Sequence, residues 1–383
     1  MKSDSSRRNF LVAGLALPAA GLATTQSPQT SSPQPARAAA PRAPAPAYRT
    51  LGKTGLKVTS VGFGCMITSD SSVISRAIDM GITYFDTVRV YQSGNNERML
   101  GACLKGSRDK VVLSSKSMAR NAADAITHLE TSLKELGTDH LDIWYMHARD
   151  NAAAIPDEAV AAWENAKKQG KIRFIGVSSH NPNAIVDRVL QAGKFDVLLS
   201  TYNFTVGTAN DAAYQRLADA GIGLVAMKVM APARPGGTAA KTTPGGPLAA
   251  LKWVLRNPRF STTIPSIRDT DMLDENFRAM SETFGAQDEK ILAVLNEQVR
   301  PLYCRMCYQC SGQCPKGAPV AETIRYLSYA DFYGEFTLGR EHFLALPEEA
   351  RAVRCRDCAS CAVRCPNGVR VAERLIRAQE LFA

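Results

Sequence analysis

Eight of the ten cysteines stand in two runs of one spacing. CRMCYQCSGQCP covers Cys304 to Pro315, and CRDCASCAVRCP covers Cys355 to Pro366. Both read C-x₂-C-x₂-C-x₃-C-P. Three thiolates at steps of three wrap one corner set of an iron–sulfur cubane, and a fourth, placed before proline, reaches a second cluster. The spacing therefore predicts two [4Fe-4S] clusters. One would sit on Cys304, Cys307, Cys310 and Cys365, the other on Cys355, Cys358, Cys361 and Cys314. Zinc is the weaker reading, because its sites favour two separated C-x₂-C pairs. Disulfide frameworks rarely repeat one dense spacing. Cys65 and Cys103 fall outside the scheme and read as small buried side chains.

A second constellation is polar. Asp86 ends YFDT, Tyr91 closes DTVRVY, Lys116 ends VVLSSK and His147 ends LDIWYMH. Singly, each has a plain structural reading: a helix cap, a packing ring, a satisfied core histidine. Together they share one property, since each lies at or just past the C-terminal end of an apolar run.

Those runs are the elements that must position them. After a short hairpin turning at Gly52–Gly55, strand-like runs cover 58–63, 83–87, 111–116, 141–147, 173–178, 197–202, 223–228 and 262–265. Helical patterns lie between them, including 122–136, 159–169, 184–192, 210–220, 248–256 and 271–284. Strands alternating with helices imply a parallel sheet. Eight units in this length match a (β/α)₈ TIM barrel, whose reactive groups sit at strand C-termini. A doubly wound sheet competes, but GFGCMI at 62–67 lacks the third glycine of a dinucleotide turn. The expected order is a signal and tether at 1–47, the barrel at 48–285, a connecting helix at 286–303, and a small, mainly helical ferredoxin-like iron–sulfur domain at 304–383.

Over residues 48–284 the sequence resembles the aldo-keto reductase family, through RTLGKTGLKVTSVGFG, YFDTVRVYQSGNNERMLG, SLKELGTDHLDIWYMH, GKIRFIGVSSHN and IPS…ENF. The resemblance implies a catalytic tetrad of Asp86, Tyr91, Lys116 and His147. Free tyrosine is too weak an acid to protonate a carbonyl readily. Lys116 would lower its pKa, Asp86 would hold Lys116, and His147 would orient the substrate oxygen, with Tyr91 the general acid–base. The resemblance also implies NADP(H), with NAD(H) the other option. Ser178 and Ser179 match the carboxamide clamp, Met227 and Lys228 the end of the seventh strand, and Ser266, Arg268, Glu275 and Asn276 the adenosine phosphate region. Ser179, Leu199 and Met272 depart from the family's usual Asn, Gln and Arg. The Gly/Pro-rich loop 231–247 is expected to cover the cofactor or to be plain surface.

The N-terminus adds a location. Ser6–Leu11, SRRNFL, resembles a twin-arginine export signal, followed by an apolar stretch too short for a stable membrane span. A Pro/Ala-rich tether follows. These features point to a periplasmic protein that meets the twin-arginine export machinery. The formal charge of +10 counts every cysteine as neutral. Two clusters of roughly −2 each would offset about four charges, and no basic run stands out, so nucleic acid is not an expected partner. The expected activity is carbonyl–alcohol oxidoreduction of a small molecule, with the clusters serving electron transfer, a redox partner protein or structure. The alternatives are an exported electron-transfer protein whose barrel docks a partner, and a binding scaffold without turnover.

Overall fold

A computed structural model describes residues 44–233 and 243–383. The twin-arginine signal, most of the tether and the centre of the 231–247 loop lie outside the described residues. Pro44–Ala383 forms one compact unit.

The hairpin pairs β1 (Tyr48–Thr50) with β2 (Lys57–Thr59). Eight parallel strands follow: β3 (Phe63–Gly64), β4 (Tyr84–Asp86), β5 (Val112–Ser117), β6 (Leu141–Met146), β7 (Ile172–Ser179), β8 (Val197–Thr201), β9 (Gly223–Met227) and β10 (Phe260–Thr263). Each pairs with the next, and the bridges Val61–Thr263 and Gly64–Ser266 close the ring. A Cβ on Gly64 would meet the Ile264 carbonyl at 2.7 Å, so only glycine lets the seam close. The expected first strand, 58–63, divides: its start pairs in the hairpin, and the barrel strand begins only at Phe63.

Helices α1 (Ser71–Asp79), α2 (Asn95–Leu104), α3 (Ala122–Leu136), α4 (Asp157–Lys168), α5 (Val186–Ala192), α6 (Asp211–Asp219), α7 (Gly246–Leu255) and α8 (Thr270–Arg278) wrap the strands. Strand residues alternate between two cores, as the period-2 pleat requires. Val112, Ile143, Tyr145, Val197, Leu199, Val225 and Met227 fill the barrel with Leu51 and Val58 of the hairpin. Leu113, Trp144, Met146, Leu198, Leu224 and Ala226 face the helices. The expected helix at 271–284 stops at Arg278.

Helix α9 (Ala286–Val299) leads to the cysteine-rich segment, which is helical as expected: α10 (Val320–Tyr333), α11 (Phe336–Leu344), α12 (Glu348–Ala352) and α13 (Val371–Phe382). Val320 and Ile324 of α10 pack with Leu375 of α13 among six of the cluster-motif cysteines. Buried Asp331 accepts hydrogen bonds from Arg374 and Arg377 of α13. Helix α10 thus belongs to the cysteine core on one side, and its other side lies against the mouth of the barrel. No helix among the described residues is long and apolar enough to cross a membrane.

Candidate active site

The four expected polar residues converge at the C-terminal end of the barrel. Lys116, at the end of β5, donates to Asp86 Oδ2 at 2.5 Å and to the Thr87 carbonyl at 2.8 Å. Ser114 Oγ donates to the other Asp86 oxygen at 2.7 Å. Both charges are 2% exposed, so neither is tolerable without the other. Burial pushes the Asp86 carboxyl up, and Lys116 and Ser114 pull it back. The Lys116 ammonium lies 5.5 Å from the centroid of the Tyr91 ring.

Tyr91 departs from expectation. Lys116 was expected to lower its pKa, but burial raises it well above the ordinary value, helped by the charge of Asp86 and by Tyr329. Lys116 is matched by Asp86 and stands 5.5 Å from the Tyr91 ring centroid. Tyr91 is therefore a phenol, the form that can give a proton to a substrate oxygen. His147 is held neutral, first by burial and then by the positive charge of Lys116. Its Nδ1 meets Ser178 Oγ at 2.7 Å, and that oxygen also accepts the Ala148 N–H at 2.8 Å. The pattern that satisfies every group has Ser178 donating to Nδ1. The Nε2–H of His147 is then free for a substrate oxygen.

Backbone strain marks the same places. Among the described residues, the non-glycine residues at positive φ are Gln92, Ser93, Ala148, Lys228, Met306 and Tyr308. Two follow Tyr91, one follows His147, one ends β9, and two lie in the first cysteine run. Such conformations cost of order 1–3 kcal/mol each and persist where the surroundings impose them.

The expected cofactor residues are present but roofed. Tyr91, Lys116, His147, Met227, Lys228 and Ser266 line one cavity of about 50 Å³, and Tyr329 and Tyr333 of α10 form its lid. The Lys228 ammonium lies 4.3 Å and 4.9 Å from those two ring centroids. Arg268 donates to the Tyr333 carbonyl at 2.9 Å and faces Glu335 at 3.7 Å. Ser178 is engaged with His147, and Ser179 Oγ donates to Asp150 at 3.1 Å. On α8, Glu275 is half-buried and Asn276 fully buried, the latter with both amide atoms unpaired. That amide is the one feature that invites a polar ligand. Pockets for cofactor-sized ligands run roughly 300–1,000 Å³. A nicotinamide dinucleotide, NADP(H) or NAD(H) alike, does not fit this chamber, because Tyr329 and Tyr333 of α10 stand over Lys228 and beside Met227 and Ser266.

The residues that hold α10 there escaped the sequence reading. Asp150 Oδ2 accepts from Arg325 of α10 at 2.9 Å and from Tyr308 of the first cysteine run at 2.8 Å. Its other oxygen accepts the His180 N–H at 2.6 Å. Burial pushes the Asp150 carboxyl up, but His180 and Arg325 overcome this and hold it well below the usual range. One sequence signal was available. Tyr326, Tyr329 and Tyr333 recur at steps of three and four, one face of a helix.

The cysteines sort into two groups. Burial pushes the Cys304 thiol up to about 12, and the thiols that act on it are Cys310, Cys307 and Cys365. Those acting on Cys355 are Cys314, Cys358 and Cys361. This second group lines a cavity of about 310 Å³ walled by Val363 and Leu375. Among the described residues no three His, Cys, Asp or Glu converge on a point that a single ion could fill. A zinc site would bring its sulfurs within about 2.3 Å of one ion. The Met306 N–H and the Asn367 amide point at the sulfurs of Cys304 and Cys307, both at 3.3 Å. Thiols spaced around a cavity, with N–H donors aimed at sulfur, fit a cubane. Outside these groups, Cys65 is buried, as expected, while Cys103 is only partly so.

Known proteins agree with this division. The Aldo/keto reductase family matches residues 68–242, and the 4Fe-4S dicluster domain matches residues 303–369. The barrel is thus similar to aldo/keto reductases over residues 68–242, and the cysteine-rich segment is similar to 4Fe-4S dicluster domains over residues 303–369. YqkF, an uncharacterized oxidoreductase of Bacillus subtilis, is 30% identical over 171 residues, 39% of this chain and 55% of its own length. The chain thus spans little more than half of that relative. YrpG, another uncharacterized oxidoreductase of Bacillus subtilis, is 28% identical over 65% of this chain and 95% of its own. The holo form of an aldo-keto reductase from Bacillus halodurans shares the fold, with a TM-score of 0.57 and 23% identity over 65% of this chain and 96% of its own.

Proposed function

We propose that the chain interconverts a carbonyl and an alcohol on a small molecule, in the chamber where Tyr91, Lys116 and His147 meet. The observation that carries this reading is the buried Lys116–Asp86 pair lying under the Tyr91 ring, with His147 on the same cavity. Tyr91 gives its proton to the substrate oxygen as negative charge develops there. His147 Nε2–H orients that oxygen, and Asp86 keeps Lys116 charged beside the site. Reduction takes two electrons and two protons: the clusters proposed on Cys304, Cys307, Cys310, Cys365 and on Cys355, Cys358, Cys361, Cys314 would pass the electrons singly from an outside donor, Tyr91 gives one proton to the oxygen, and solvent gives the other to carbon. Nicotinamide dependence is left out of the proposal, because the chamber is too small for it. Export to the periplasm is part of the proposal and rests on Ser6–Leu11.

The test uses cluster-loaded full chain, a panel of small carbonyl compounds, and a reduced viologen as donor. Tyr91→Phe is expected to lower the rate by about 10²–10⁴-fold with cluster absorbance unchanged. Equal rates would overturn the assignment. The covered mouth favours one second reading, an exported iron–sulfur electron-transfer protein whose barrel mainly docks a partner. That reading expects Tyr91→Phe to be neutral in electron transfer.

A further inference from the structure

The chamber beneath α10 is small and its charges are unbalanced. Its volume of about 50 Å³ holds roughly four waters, or an organic molecule of few atoms. The cations around it are matched, with one exception. Lys116 is paired with Asp86, Arg325 with Asp150, and Arg268 with Glu335. Lys228 has no carboxylate partner among the described residues, and its ammonium faces only the rings of Tyr329 and Tyr333. Its backbone is held at φ 60°, a conformation that a lysine adopts only when its surroundings impose it. In so small a space, a molecule that reaches Tyr91 and His147 also reaches Lys228.

We propose that this chamber binds a small 2-oxo acid, with its carboxylate on Lys228 and its carbonyl oxygen between Tyr91 and His147. The proposal rests on the Tyr91-centred reading above and adds to it the substrate class and the residue that selects it. A carboxylate supplies the charge Lys228 lacks, and the adjacent carbonyl suits the short span. The aromatic lid excludes larger acids.

The experiment is calorimetric titration of the cluster-loaded full chain with pyruvate, with 2,3-butanedione as its neutral counterpart, and with NADPH. Pyruvate is expected to bind about tenfold or more tighter than 2,3-butanedione, the range of a charge-assisted contact. Lys228→Met should remove that preference, and Lys228→Arg should retain most of it, both with cluster absorbance unchanged. Equal affinity for the two compounds would overturn the proposal, as would a preference that survives in Lys228→Met. So would NADPH binding to the wild-type chain in competition with pyruvate. Tyr91→Phe should weaken pyruvate and 2,3-butanedione alike and leave the preference for the acid intact. If pyruvate binds through Lys228 but is never reduced, the catalytic reading fails and the binding site stands. If neutral carbonyls are reduced equally by wild type and Lys228→Met, the binding proposal fails and the catalytic reading stands.

Discussion

Lys228 at the end of β9 holds its ammonium 4.3 Å from the ring centroid of Tyr329 on α10. The contact joins the two domains at the point where reactive groups gather in barrels of this kind. The iron–sulfur domain therefore supplies one wall of the barrel's chamber. The roof over that chamber is anchored to the cysteine core.

Burial, then Arg325 and Lys116, lowers Lys228 to about 7. The groups facing it leave it as the one that changes charge near neutrality. His180 and His342 are lowered to about 4 and His147 well below its usual value, while Tyr91, Tyr329 and Tyr333 are all raised. Pyruvate affinity should hold below pH 7 and decline as the pH rises through it. The stability effect has the opposite sign. The folded pKa lies below the free value of 10.5, so the folded state binds fewer protons across that window, and wild type should gain stability relative to Lys228→Met from about pH 7 to 10. Calorimetry and thermal melts across that range check both slopes.

Arg325→Met should be strongly destabilising. It strips the Asp150 carboxylate of its α10 partner while leaving it largely buried. Breaking one side of such a pair costs about 3–5 kcal/mol. Asp150 has a depressed pKa, so its contribution is present above its unfolded pKa of about 3.9 and is lost as the pH falls below it. Chemical denaturation at neutral pH should show the loss. At low pH, wild type and variant should converge.

The crossed cysteine pairing can be read from iron content in double variants. With Cys365 serving the Cys304 group, Cys304→Ala with Cys365→Ala removes one cluster and leaves about four of eight irons. Cys355→Ala with Cys365→Ala removes both. If each run kept its own four cysteines, the two results would exchange. Iron analysis of anaerobically purified protein distinguishes them directly.

The sequence carried the parts of this site that depend on local spacing. Cysteine steps of three grouped Cys304, Cys307 and Cys310, and apolar runs placed Asp86, Lys116 and His147 at strand ends. What it did not carry depends on distant packing. The Tyr326–Tyr329–Tyr333 stripe announces a face to be covered, but its partner, Lys228, lies about a hundred residues away in sequence. The sign of the Tyr91 shift was misjudged for the same reason. A nearby lysine is visible in a sequence, whereas the burial that outweighs it and the aspartate that neutralises it are properties of the fold. Only the structure reveals that α10 stands over Lys228 and reaches Arg268, two of the residues the resemblance assigned to a cofactor.

Replacing Arg7 and Arg8 with lysine should leave the chain in the cytoplasm with its clusters intact. The cysteines are the reason to expect this route. Eight thiols released unfolded into an oxidising compartment would form disulfides, and a cubane requires them reduced. The twin-arginine route carries proteins that are already folded. Clusters built beforehand would leave no free thiols to oxidise. Cell fractionation followed by iron analysis of each fraction tests the idea. Variant protein retained inside at about eight irons supports it, and variant protein exported as efficiently as wild type excludes Arg7 and Arg8 as the signal.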